Sequence, residues 1–189
     1  TCGSCFYCKR GQPNLCTNMT TLGIFVNGGF AKYVATPMRA LHKISPQLPP
    51  ETAVFAEPLS CVVNASSKLK IEPGESVAIL GAGPIGLCFI QLFRASGAGK
   101  IIVSELSALR RRASLESGAT RVINPREENI AEVVKEETEA GIDVTVDAVG
   151  SLMNDTLRVT RSGGRILLFG QNTEARTEIR QNDITRKEL

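Results

Sequence analysis

The chain has 189 residues, 42% of them hydrophobic and 22% charged, with 22 Lys and Arg against 19 Asp and Glu for a formal net charge of +3. That balance is ordinary for a globular protein with a core to bury, and it lacks the basic excess of a polyanion-binding surface, so no nucleic-acid partner is expected. The apolar stretch nearest to a membrane span, Ser76–Phe93, is broken by three glycines and a proline and is followed by Arg94, so no membrane association is expected either.

The first sixteen residues hold four cysteines, Cys2, Cys5, Cys8 and Cys16, in the pattern C-x2-C-x2-C-x7-C. Two-residue gaps let successive sulfurs converge, and four thiolates at about 2.3 Å in a tetrahedron form the closed donor set of a structural zinc site. The same residues could serve three other arrangements. Disulfides suit small secreted domains; no secretory leader is read here, and a reducing, cytoplasmic setting is expected. Iron–sulfur runs use different gaps and commonly end in Cys-Pro, whereas Thr17 follows Cys16 here. A zinc ribbon that binds nucleic acid would use the same ligands, but Lys9 and Arg10 are the only bases in the loop.

Beyond this loop the first fifty residues are polar and rich in turns. Gly28-Gly29 precede an extended stretch, Phe30–Ala35, and Pro46, Pro49 and Pro50 close the segment, which predicts β-structure and loops. His42, the only histidine, reads as an ordinary surface or strand residue. Glu51–Ala56 and Leu59–Leu69 predict a helical connector with Pro58 in a first turn. Glu57, just before it, is at home at a helix start on electrostatic grounds. Cys61 and Cys88 fall in apolar helical surroundings and are expected to be small core residues.

From Ser76 onward, short β-branched runs alternate with amphipathic stretches, the rhythm of βαβ units. Val77–Leu80 predicts a buried strand, Gly81-Ala82-Gly83-Pro84-Ile85-Gly86 is a G-x-G-x-x-G turn, and Leu87–Ser96 predicts a helix. In such a turn the first Gly reverses the chain, the second lets backbone approach a pyrophosphate, and the third lets helix pack on strand. The helix start then offers N–H groups and partial positive charge to phosphate. The second strand, Lys100–Ser104, ends at Glu105, nineteen residues beyond Gly86. A carboxylate there accepts hydrogen bonds from a ribose diol and repels a 2′-phosphate, which points to NAD rather than NADP. Arg110, Arg111 and Arg112 form a basic run in the next helix, either a solvated face or a phosphate contact; Arg110 is the one expected near the adenosine. Three further strands are predicted at Arg121–Ile123, Asp143–Asp147 and Gly164–Phe169, with helices at about Asn129–Ala140 and Leu152–Thr160. A doubly wound sheet binds ligands outside the carboxyl ends of its strands. Ala148, Val149, Gly150, Phe169, Gly170 and Gln171 are therefore expected at the cofactor crevice, with Gly150 and Gly170 also readable as plain turns. The predicted fold is α/β: a doubly wound parallel-sheet Rossmann domain over residues 55–189, preceded by a partial β-rich domain over residues 1–54.

Taken in order, the cysteine loop, Gly28-Gly29-Phe30-Ala31, Ala56-Glu57-Pro58-Leu59, the glycine turn and Thr160-Arg161-Ser162-Gly163-Gly164 closely resemble the zinc-dependent medium-chain alcohol and polyol dehydrogenases. The sorbitol and threonine dehydrogenase branch is nearest. The resemblance covers essentially the whole chain and implies a GroES-like catalytic domain before the Rossmann domain, NAD and zinc as cofactors, an alcohol substrate, and homodimers or homotetramers. It also implies a catalytic zinc held by a Cys and a His-Glu pair, with a further residue at the Glu57 position in or near its shell. Of these, only Glu57 stands in this sequence, so the chain is expected to be a fragment whose catalytic site is incomplete.

Overall fold

Five short β-branched runs pair into one parallel sheet in the computed structural model, which describes residues 1–189. The strands are β1 (Ser76–Leu80), β2 (Lys100–Ser104), β3 (Arg121–Ile123), β4 (Ile142–Asp147) and β5 (Thr160–Leu168), in spatial order β3-β2-β1-β4-β5. The chain lays down β1, β2 and β3 in one direction, then returns to place β4 beside β1. The order therefore reverses between β1 and β4, which opens a crevice at their carboxyl ends.

Period-two alternation explains both faces of the sheet. Val77 and Ile79 of β1, Ile101 and Val103 of β2, and Val144 and Val146 of β4 face one layer with Phe89, Ile90 and Phe93 of helix α4 (Pro84–Ala95) and Val62, Ala65 and Leu69 of helix α3 (Ala56–Leu69). Ala78, Leu80, Ile102 and Ile123 face the other layer with Ile130, Val133 and Val134 of helix α6 (Ile130–Glu137) and Val159 of helix α7 (Met153–Val159). Both faces are covered, so the strands read as near-continuous apolar runs. Asn129 caps α6, its Oδ1 accepting from the Ala131 N–H at 2.9 Å. That helix ends at Glu137, before the expected Ala140, because Thr138 turns extended and its hydroxyl accepts from the Gly141 N–H at 3.1 Å.

Two expectations change here. The strand expected over Gly164–Phe169 begins at Thr160, with Arg161–Gly164 an irregularity inside it: Ile142 pairs with Thr160, and pairing resumes at Val144 with Arg165. Cys61 is exposed, because the buried face of α3 is Val62, Ala65 and Leu69; Cys88 is half-buried against the α4 core.

Two compact units divide the chain, Thr1–Pro49 and Pro50–Leu189. The first holds a one-turn helix α1 (Phe6–Lys9) and two 3-10 turns, with an isolated Leu22–Val26 bridge as its β pairing. The extended stretch Phe30–Ala35 has no ladder partner and runs as loop, with Phe30 and Tyr33 exposed. His42 is exposed as expected. In the second unit, short helix α2 (Pro50–Ala53) leads into α3, helix α5 (Ala108–Glu116) joins β2 to β3, and α8 (Gln181–Thr185) lies near the end of the chain. No helix is long and apolar enough to cross a membrane.

At the amino ends of β1 and β4 an ion pair pins the sheet. Asp143 Oδ2 accepts from the Ser76 N–H and hydroxyl, both at 2.7 Å, while Oδ1 pairs with Arg161 Nε at 2.6 Å. Burial alone would raise the Asp143 carboxyl, but the Ser76 bonds and the Arg161 charge outweigh it and hold the carboxyl below its ordinary value of 3.8. A depressed folded value means that the contribution is present above about pH 4 and is lost as pH falls through the lower folded value. Urea denaturation at pH 7 and pH 3 should show a smaller acid loss of stability for Asp143→Asn than for the parent chain; equal losses would remove the pair from the acid response.

Candidate functional site

The cofactor crevice starts at the β1 turn. Gly81 adopts φ +94°, and a Cβ there would meet Val149 Cγ2 at 2.5 Å. At Gly86 an added Cβ would meet the Gly81 carbonyl oxygen at 2.1 Å, so the third glycine seats α4 directly on the turn. Gly83 is different: a Cβ there would meet nothing within 4 Å. It is the N-cap of α4, no side chain caps that end, and exposed Pro84 occupies the first helical turn. The open space above an uncapped helix start fits the diphosphate of a dinucleotide.

One cavity opens on each side of this turn. A cleft of about 550 Å³ on the β2 side is lined by Gly81, Glu105, Arg110, Pro125, Val149 and Leu152, among others. A second cavity, of about 620 Å³, lies on the β5 side and is lined by Glu57, Cys61, Ile85, Ala148, Phe169, Gly170 and Gln171. The fold thus gathers every expected cofactor residue of the second unit around one turn.

Glu105 is 7% exposed. Its Oε2 accepts from the Ala82 N–H at 2.7 Å and its Oε1 from the Ser107 N–H at 2.8 Å. The carboxylate therefore ties the glycine turn to the end of β2, a role that the spacing alone did not reveal, and each oxygen retains a lone pair for a further donor. The basic run separates into distinct roles. Arg111 turns back, its Nη1 donating to the carbonyls of Glu105 at 3.1 Å and Leu106 at 2.5 Å. Arg110 is exposed at the cleft and forms no ion pair.

On the β5 side, Gly150 and Gly170 meet back to back. A Cβ on Gly170 would lie 2.2 Å from the Gly150 nitrogen, and one on Gly150 would lie 2.7 Å from the Gly170 carbonyl, so close approach requires glycine at both positions, and a φ of +91° requires it at Gly150 as well. Phe169 packs edge-on against Phe89 at 5.1 Å, which anchors that wall in the core. Glu57, exposed in the first turn of α3, accepts a hydrogen bond from the Cys61 thiol at 3.6 Å. Burial first, and the Glu57 carboxylate second, hold that thiol above its ordinary value. Asp147, at the end of β4, was not anticipated as part of the site. Its position at the carboxyl end of a strand, like that of Glu105, is the sequence signal that could have found it.

In the first unit the ligand atoms of Cys2, Cys5, Cys8 and Cys16 lie within 4.8 Å of one another. Backbone amides point at the sulfurs: Cys2 N–H donates to Cys16 Sγ at 3.2 Å, Cys5 N–H to Cys2 Sγ at 3.4 Å, and Cys8 N–H to Cys5 Sγ at 3.5 Å. The Ser4 N–H, followed by the Ser4 hydroxyl and the Cys5 N–H, lowers the Cys2 thiol to about 5. Burial, with neighbouring sulfurs adding to it, raises Cys8 to about 11. Four converging sulfurs with N–H support fit a single zinc ion. No other group of three or more His, Cys, Asp or Glu ligand atoms converges in the structure, so Glu57 alone cannot hold a second ion.

Known proteins share this arrangement. Residues 84–189 match the family described as zinc-binding dehydrogenase, and residues 1–46 match the alcohol dehydrogenase GroES-like domain. Sorbitol dehydrogenase of Bacillus subtilis is 36% identical over 174 residues, which is 90% of this chain and 49% of that protein. L-threonine 3-dehydrogenase of Pyrococcus furiosus is 39% identical over 172 residues, 89% of this chain and 49% of that protein. The chain spans about half the length of the curated relatives it matches. A zinc-binding dehydrogenase structure from Sinorhizobium meliloti, bound to NADP, superposes with a TM-score of 0.92 at 34% identity, over 100% of this chain and 57% of that one. A structure described as a short chain alcohol dehydrogenase from Escherichia coli, complexed with NADH, gives 0.92 at 30% identity over 100% and 56%.

The glycine geometry makes a sharp comparison. Gly86→Ala should cost about 1–3 kcal/mol or more of unfolding free energy, because the backbone it would strike cannot yield cheaply. Gly83→Ala should change stability by less than about 0.5 kcal/mol. Urea denaturation of both variants checks this, and equal costs would contradict the packing described.

Proposed function

The chain belongs to the zinc-binding dehydrogenase family, and on that premise we propose that it carries the dinucleotide-binding and structural-zinc portions of an NAD-dependent alcohol or polyol dehydrogenase. Such an enzyme moves a hydride from a secondary alcohol, sorbitol- or threonine-like, to NAD. The observation that carries this reading is the conjunction of open space at Gly83, above the uncapped start of α4, with the buried Glu105 carboxylate at the end of β2.

In this reading NAD, when bound, supplies the hydride acceptor. The residues of the chain bind and orient it. The N–H groups at the start of α4 face the diphosphate, and Gly83 leaves room for it. Glu105 takes the adenosine ribose hydroxyls and disfavours a 2′-phosphate, with Arg110 flanking the adenosine. Ile85, Ala148, Val149, Gly150, Phe169, Gly170 and Gln171 bound the other half. Cys2, Cys5, Cys8 and Cys16 would hold one zinc ion as a structural staple. Glu57 lies in the wall of the β5-side cavity, where its carboxylate would face the reacting end of a bound cofactor. Homodimers or homotetramers and a cytoplasmic location accompany the proposal.

One observation favours a second reading for these residues taken alone, a non-catalytic, zinc-stabilised NAD-binding module. Glu57 has the Cys61 thiol beside it but belongs to no group of three converging ligands with which to hold an alcohol-activating ion.

Fluorescence titration should give an affinity for NADH about tenfold or more above that for NADPH. Glu105→Ala should weaken NADH binding and narrow the ratio, since it removes both the ribose acceptor and the tie to Ala82; equal affinities in the parent chain would contradict the NAD assignment. Metal analysis should find one zinc per chain, falling below one-tenth in Cys16→Ser. Full zinc content in that variant would exclude the four-sulfur site.

A further inference from the structure

Asp147, 2% exposed at the end of β4, is not used by the functional reading above. Its Oδ1 accepts from the N–H groups of Val149 at 2.8 Å and Gly150 at 2.7 Å, and its Oδ2 from the N–H of Leu152 at 2.8 Å. Its main-chain carbonyl accepts from Phe169 at 3.0 Å and Gly170 at 2.9 Å. One residue thereby gathers five backbone donors from two loops. No Lys, Arg or His pairs with the carboxylate. Three N–H groups on two oxygens require a group that only accepts. An asparagine would turn a donor toward either Leu152 or the Val149–Gly150 pair.

The two loops meet at the Glu57 cavity; the first also lines the Glu105 cleft through Val149 and Leu152, whereas the 169–171 loop lines only the Glu57 side. The adenosine side has its own ties, from Glu105 to Ala82 and Ser107, and Asp147 takes no part in them. The loops held by Asp147 supply Ala148, Phe169 and Gly170 to the Glu57 cavity. A dinucleotide whose diphosphate lies at Gly83 and whose adenosine lies at Glu105 must extend its other half toward that cavity. The back-to-back contact of Gly150 with Gly170 leaves the two loops no slack, so a shift in one moves the other.

We propose that Asp147 is a positioning residue for the nicotinamide half of the dinucleotide, fixing the 148–150 loop against the 169–171 loop without touching the cofactor itself. The proposal rests on the dinucleotide reading, and its test separates the two. Binding of NADH and of ADP, which carries only the adenosine and diphosphate, is measured for the parent chain and Asp147→Asn. The variant should lose about tenfold or more in NADH affinity and about threefold or less in ADP affinity, because Glu105 has its own ties on the adenosine side while both loops bound the Glu57 cavity. It should also lose most of the fluorescence enhancement of bound NADH. Equal losses for both ligands, or no loss for either, would overturn the proposal and leave the dinucleotide reading standing. A parent chain that binds neither ligand removes both. If Asp147→Asn does not fold, amide exchange in the parent chain decides. The N–H groups of Phe169 and Gly170, which bond the Asp147 carbonyl and line only the Glu57 cavity, should gain protection with NADH and not with ADP, and equal protection by both, or none by either, would contradict the proposal.

Discussion

Two buried carboxylates, each at the carboxyl end of a strand and each satisfied by backbone N–H groups, hold the cleft together. Burying a carboxylate with no cation beside it is costly unless donors surround it. Glu105 meets that demand with Ala82 and Ser107, and Asp147 with Val149, Gly150 and Leu152. The side-chain bonds tie the loops at the ends of β1, β2 and β4 to rigid strands, and the Asp147 main-chain carbonyl ties the β5 loop. The glycines follow from the same constraint. Loops drawn this close leave no room for a Cβ at Gly86, Gly150 or Gly170, while Gly83, outside the packed zone, faces open space.

The cysteine unit is organised on another principle. Among Thr1–Pro49 the buried apolar side chain is Cys16, so little hydrophobic burial stabilises this segment. The ordered feature is the set of N–H···S bonds around four sulfurs. A unit of this size without a core depends on a staple, and a metal bound by four thiolates converts binding free energy into folding free energy.

Strand positions were legible in the sequence because β-branched runs bounded by glycine carry both period and length. β2 and β3 have the expected bounds, and β1 and β4 each begin one residue earlier. The glycine turn was legible because its positions have separate steric reasons, and the structure carries those of Gly81, with its positive φ, and of Gly86, with its close approach, while Gly83 faces open space. Partnerships set by tertiary register were not. Glu105 was read from spacing as a ribose acceptor, yet which backbone amide it grips depends on how β2 lies against β1. Asp147 read as the last residue of a strand, and its five donors come from loops that meet only after β5 is placed. Cys61 was expected in the core from its apolar neighbours, but the phase of α3 turns Val62 inward and leaves Cys61 beside Glu57. The irregularity at Arg161–Gly164 was not legible, because the strand pairing on both sides of it is a long-range fact.

The account stands on the claim that the crevice between β1 and β4 is built for a dinucleotide. A crystal structure of the chain grown with NADH tests it most directly. The account predicts the diphosphate at the start of α4 over Gly83, the adenosine ribose on Glu105 and the nicotinamide in the cavity beside Glu57. Density for the dinucleotide elsewhere on the surface, or an undisturbed crevice at saturating NADH, would contradict it.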